Sequence, residues 1–138
     1  MEGLIMSDVD KLAYKWNALR SYAEFLQEKR KIVVEQLQEL ESAEFVLEQL
    51  EKTKKGQNVM IGLGSGNFVE GKFEDINKIF VSVGANVIIK KSLKDAIEIN
   101  KIRIKNMENV LEKISEEIQD IVMKMKELEI QLQKLSEK

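Results

Sequence analysis

"NVMIGLGSGNFVEGKFEDINKIFVSVGANVIIKK", residues 58 to 91, decides the fold of this 138-residue chain. Its apolar period is two. "NVMIGLG", "NFVEGKF", "KIFVSVG" and "NVIIKK" are short, rich in Val, Ile and Phe, and separated by turn residues, which predicts four strands. "GSGN" (64–67) and "GAN" (84–86) stand where tight turns belong, so the strands are expected to pair as two successive hairpins. The glycines also invite a phosphate-binding reading, which their spacing rejects. A Walker loop has four residues between its glycines and then Lys-Ser or Lys-Thr, and a dinucleotide fingerprint runs directly into a helix. Gly62, Gly64 and Gly66 fit neither spacing and lead into another strand, so they read as turn and close-approach positions.

Outward from this stretch the period changes to seven. On the N-terminal side Leu12, Leu19, Leu26, Val33, Leu40 and Leu47 form a d row, with Val9, Trp16, Ala23, Arg30, Leu37 and Glu44 at a. Arg30 and Glu44 break that seam. On the C-terminal side Ile97, Ile104, Leu111, Ile118, Met125 and Leu132 sit at a, and Asn100, Met107, Ile114, Ile121, Leu128 and Leu135 at d, broken only by Asn100. Each flank therefore predicts a long helix whose apolar stripe needs a mate. "KKGQN" is expected to end the first helix, with Gly56 past its last turn and lysines within it; Ser92 and Asp95 resemble a capping box opening the second.

Composition removes several function classes. The chain has no cysteine, hence no disulfide, thiolate nucleophile or cysteine-bound zinc, and no histidine, the commonest general base and transition-metal ligand. Lys and Arg number 22 against 24 Asp and Glu, a net charge of −2, which is not the footprint of a nucleic-acid binder. The basic run Lys90, Lys91, Lys94, Lys101, Arg103 and Lys105 lacks interleaved aromatics and reads as a solvated or ion-pairing face. Carboxylate clusters such as Glu116-Glu117 lie on an exposed helical surface, and no catalytic constellation is visible. "MEGLIMSDVD" has no basic leader and too short an apolar run for a signal peptide, and no stretch approaches the roughly 20 apolar residues that span a bilayer. A soluble, cytoplasmic, non-enzymatic protein with no metal and no cofactor is expected.

The order helix, two hairpins, helix, carried by "GLGSGNFVEGKFED" and "KIFVSVGANVIIKKSLKDAIE" with charged heptads after them, resembles the alpha class of archaeal prefoldin. The resemblance is most specific from Ile61 to Glu98; Met60-Ile61-Gly62 and Gly71 depart from the family's usual first hairpin. It implies an α+β fold: a long antiparallel two-helix coiled coil with two β-hairpins at one end, the hairpins joining those of other subunits in a β-barrel base. The single domain, 1–138, would comprise a coiled-coil helix over about 8–54, oligomerisation hairpins over 57–91 and a second helix over 93–136. The resemblance further implies a hexamer of two alpha and four beta subunits whose coiled-coil tips hold unfolded client proteins, without ATP, and deliver them to a group II chaperonin.

The residues independently support an assembly. A pair of hairpins has open edges and buries little, and its strands are apolar on both faces, with Ile79, Val81 and Val83 on one side and Phe80 on the other. The candidate oligomerisation set is Val59, Ile61, Phe68, Phe73, Ile79, Phe80, Val81, Val83, Val87, Ile88 and Ile89. Folding the helices antiparallel with Thr53 beside Leu93 brings Trp16 to the region of Ile130 and leaves the first residues without helical partners. Leu4, Ile5, Met6, Val9 and Trp16, with Leu128, Leu132 and Leu135 opposite, are thereby the candidate client-binding tip. A further stripe, Phe25, Ile32 and Val46 with Glu39 in the remaining slot, lies off the seam and reads either as ordinary exposed apolar surface or as a face that lines a cavity or packs against a neighbouring subunit's helix. The alternative function is structural: hairpins joining alpha-type copies into a homo-oligomer or filament.

Overall fold

The computed structural model describes residues 7–137. Its elements are helix α1 (Asp8–Glu51), strands β1 (Asn58–Gly64), β2 (Asn67–Lys72), β3 (Ile79–Ser82) and β4 (Ile88–Lys91), and helix α2 (Leu93–Ser136). Contacts divide the chain into two compact units. One takes α1 up to Gln36 with α2 from Met107; the other runs from Leu37 to Asn106.

Both helices start on a serine. Ser7 Oγ accepts from the Asp10 amide at 3.1 Å and Ser92 Oγ from the Asp95 amide at 3.2 Å, each satisfying an amide with no partner inside the helix. Asp8 and Asp10 in the first turn of α1, and Asp95 in that of α2, suit the positive helix end. The end of α1 differs from expectation. The helix stops at Glu51, where Thr53 folds its hydroxyl back onto the Gln49 carbonyl at 2.8 Å and its amide onto Leu50 O at 3.0 Å. The expected terminal lysines fall outside: Lys54 opens a separate turn closed by Gln57 N–H to Lys54 O at 3.0 Å.

In the first unit the heptads do what their spacing dictates. Leu26 and Val33 pack with Ile114, Ile118 and Ile121 as the buried core, flanked by Leu19, Ala23, Met107, Leu111 and Met125. Arg30, the break at a, faces solvent. In the unit Leu37–Asn106 the core is smaller: Leu93, Ala96 and Ile104 are buried, and so is Asn100. Asn100 does not leave a polar hole, because its Nδ2 donates to the Leu40 carbonyl at 2.9 Å.

The strands form two separate two-stranded antiparallel sheets, β1-β2 and β3-β4. Their turns share one design. Ser65 and Gly66 have φ of 53° and 78°, Ala85 and Asn86 of 49° and 61°, the paired positive values of a type I′ turn. Each pair is preceded by a glycine, Gly64 or Gly84, at φ 99° or 97°, a backbone state that a side chain would strain. Ahead of the first turn the register slips: Gly62 faces Phe68 and Gly64 faces Asn67, so Leu63 is an extra, unpaired residue. Gly71 does not interrupt β2, which runs through it opposite Val59. It is small because the Ile61 Cδ1 methyl would stand 3.1 Å from any added Cβ.

Candidate functional site

The described residues among those named from sequence fall on two surfaces, one in each unit. In the first, α1 begins and α2 ends side by side and antiparallel. The Trp16 indole N–H donates to Glu129 Oε1 at 3.1 Å, next to the Ile130 position expected from the pairing arithmetic. The Arg20 guanidinium lies 5.8 Å from the Trp16 ring centroid and binds Glu24 at 3.2 Å, so the indole is held from two sides. Trp16, Leu128, Leu132 and Leu135 are half-buried, and Val9 is exposed; Leu4, Ile5 and Met6 lie outside the described residues.

Beside the seam lies an open groove of about 420 Å³, lined by Tyr14, Lys15, Ala18 and Leu19 of α1 and Lys124, Glu127, Leu128 and Gln131 of α2. Its floor is apolar, Leu19 with Leu128, and its rim carries both charge signs. Tyr14, 70% exposed, stands at the rim, and Ile130 is 54% exposed on α2 nearby in sequence. The heptad reading passed over Tyr14 and Ile130 because both sit opposite the seam positions. The spacing nevertheless held a clue: Ala18 precedes Phe25 by seven and so extends the off-seam row of Phe25 and Ile32.

That row is exposed at Phe25, Ile32 and Val46. Phe25 stacks on Tyr22 with centroids 6.3 Å apart and rings inclined at 17°. The Tyr22 hydroxyl crosses to donate to Glu117 Oε1, and this bond to a carboxylate holds the phenol above its ordinary pKa.

The second surface is the pair of hairpins. Of the residues named from sequence, Val59, Phe73, Ile79 and Val81 are half-buried, while Ile61, Phe68, Phe80, Val83, Val87, Ile88 and Ile89 are exposed. The register places Ile79, Val81 and Ile89 on one face of the second sheet and Phe80, Ile88 and Lys90 on the other, as the alternation requires. No strand residue is buried, and neither sheet has more than two strands. Among the described residues nothing buries Phe80 and Ile88 on the outer face.

Known proteins share this arrangement. The family model described as "Prefoldin subunit" matches residues 19–138. Prefoldin subunit alpha of Thermofilum pendens is 23% identical over 120 residues, covering 87% of this chain and 93% of its own length. Prefoldin subunit alpha 1 of Thermococcus kodakarensis is 31% identical over 97 residues, covering 70% of this chain and 66% of its own length. A solved structure, filamentous PFD from Methanocaldococcus jannaschii, superposes with a TM-score of 0.67 at 21% identity, over 88% of this chain and 98% of that one. With helices, hairpins and sequence in agreement, the chain belongs to the prefoldin family of chaperone subunits, which are not enzymes, and to its archaeal alpha class.

Proposed function

We propose that this subunit holds non-native proteins, without ATP, in a hexamer with beta-type prefoldin chains, and passes them to a group II chaperonin. The observation that carries the reading is the open groove floored by Leu19 and Leu128 and rimmed by Tyr14. An unfolded chain presents scattered apolar groups. A shallow apolar groove with a mixed-charge rim takes many of them weakly and none selectively. The tip residues Val9, Trp16, Leu132 and Leu135 extend the same end of the helix pair, and the exposed hairpin faces supply the surface through which subunits would join.

The test is light scattering from a chemically unfolded protein diluted into the chain mixed with a beta-type subunit, with no ATP. Suppression by the mixture is expected, together with a loss of at least about half of it on Tyr14→Glu with Leu128→Glu while the complex still forms. Full suppression by that variant complex would sink the groove as the client site. A second reading is structural, a homo-oligomer or filament of this chain; the four open strand edges and the filamentous relative favour it. Unlimited self-assembly of the pure chain, with no suppression by either assembly, would select it.

A further inference from the structure

In the first unit, the flank of α1 that leads away from the groove remains without a role. Ala18 lines the groove, and Phe25 and Ile32 follow it at steps of seven, 61% and 53% exposed. Beside this row runs a second, Lys15, Tyr22 and Lys29, whose first member also lines the groove. Tyr22 bridges the two rows: its ring stacks on Phe25 and its hydroxyl reaches Glu117 of α2. One heptad before Glu117, Val110 is exposed on the same side of α2. An apolar track thus continues from the groove over the two heptads from Ala18 to Ile32, roughly 21 Å at 1.5 Å per residue.

Spacing and charge choose what such a track can hold. Its apolar row repeats every seven residues, about 10.5 Å, which is the repeat of the stripe on another helix. An extended strand repeats the side chains of one face at about 6.8 Å and falls out of step. A strand would also find no open backbone here, because α1 and α2 bond their own amides and carbonyls, whereas a helix brings its hydrogen bonds with it. The charged members of the two rows from Lys11 to Ile32 are Lys11, Lys15 and Lys29. The ion pairs among the described residues are Arg20–Glu24 and Lys78–Asp75, so no described carboxylate lies within 4.0 Å of Lys15 or Lys29. Glu117, which faces the track, already accepts from Tyr22, and Glu28 borders the row on the side away from α2. Where the groove has a rim of both signs, the track is apolar surface edged by unpaired lysines.

We infer that the track takes an amphipathic helix of a partly folded client, its apolar stripe bordered by Asp or Glu, laid along α1 as a third helix from the groove to Ile32. Phe25 and Ile32 pack between the residues of the client's stripe, and Lys15 and Lys29 pair with its acidic borders. The apolar part gives the contact its strength, and the opposite charges choose which helices enter. This rests on the client-holding reading of the groove and deepens it: the groove accepts apolar groups of any kind, and the track selects those already arranged on a helix.

The experiment is fluorescence anisotropy of three labelled probe peptides of about 18 residues, long enough to form a helix, on the complex of this chain with a beta-type subunit. The first probe has leucines at heptad spacing bordered by Glu, the second has Lys in place of Glu, and the third is the first with two central prolines. The Glu-bordered probe is expected to bind with a Kd below about 50 µM, the Lys-bordered probe at least about fivefold more weakly and the proline probe at least about tenfold more weakly. Phe25→Ser with Ile32→Ser should weaken the first probe at least about tenfold, and Lys15→Glu with Lys29→Glu should reverse the preference between Glu and Lys borders, in variants whose melting and assembly match the wild type. The inference is overturned by a proline probe held as tightly as the helical one, or by variants that bind like the wild type. Binding by the pure chain that vanishes in the complex also overturns it, since another subunit would then cover the track. Aggregation suppression that survives Tyr14→Glu with Leu128→Glu, with the probe pattern intact, would count against the groove and leave the track standing; a failed probe pattern with groove-dependent suppression intact would do the reverse.

Discussion

The helix pair and the hairpins carry the same kinds of apolar residue and dispose of them in opposite ways. In the helices the stripe of α1 finds its mate on α2 inside one chain: Leu26 is 2% exposed and Ile118 8%. In the hairpins the alternation puts Val, Ile and Phe on both faces of sheets only two strands wide; Ile79 and Val81 are half-buried, while Phe80 and Ile88 on the opposite face are left exposed by the described residues. The difference is one of geometry. A seven-residue stripe on a helix is satisfied by one partner helix, whereas a two-stranded sheet that is apolar on both faces needs further strands or a covering layer on each. The first region buries its stripe within one chain, and the second leaves Phe80 and Ile88 on its surface.

The strongest way to break this comparison is to place the same charge in both regions. Ile118→Asp buries a carboxylate in the helical core and is expected to destabilise the chain by more than about 4 kcal/mol, read as loss of the helical melting transition. Ile88→Asp places it on an exposed hairpin face and should leave the melting of the isolated chain within about 0.5 kcal/mol while abolishing assembly. Equal destabilisation by the two would erase the distinction.

A smaller effect sharpens it within the unit Leu37–Asn106. Asn100→Asp removes the donor to the Leu40 carbonyl and sets a carboxylate against that oxygen, with an expected loss of about 1 to 3 kcal/mol in chemical denaturation. An unchanged midpoint would mean that the buried Asn100 amide contributes nothing.

The smallest effect concerns Tyr22. Its hydroxyl bond to Glu117 raises the phenol pKa in the folded chain above the unfolded value near 10. The protonated form is therefore the one favoured by folding. That contribution is fully present below pH 10 and is lost as pH rises through the folded pKa. Against Tyr22→Phe, the wild type should melt higher below pH 10 and lose its advantage above it; parallel curves across that range would contradict the assignment.

Both helices, all four strands and both tight turns were legible, because each depends on local pattern: heptads, alternation, and glycine or asparagine at positive φ. The cap at Ser92 was legible for the same reason. The end of α1 was not, since its stop is set by Thr53 folding back on Gln49 and by a turn from Lys54 to Gln57, neither of which breaks the helical pattern. The bulge at Leu63 was equally hidden, since it concerns which residue across the hairpin is left unpaired. For the groove, the seam supplied Leu19 and Leu128 but not Tyr14, which stands opposite the seam in the heptad and reaches the groove's rim only through the packing of the two helices.

Amide hydrogen exchange on the dilute pure chain and on its assembled form tests the contrast most directly. Amides of the helical core around Leu26 and Ile118 should be slow in both samples, and those of Asn58–Lys91 fast in the dilute chain and slow only on assembly. Hairpin amides as slow as the core in the dilute chain would contradict the account, because the hairpins would then be stable without a partner.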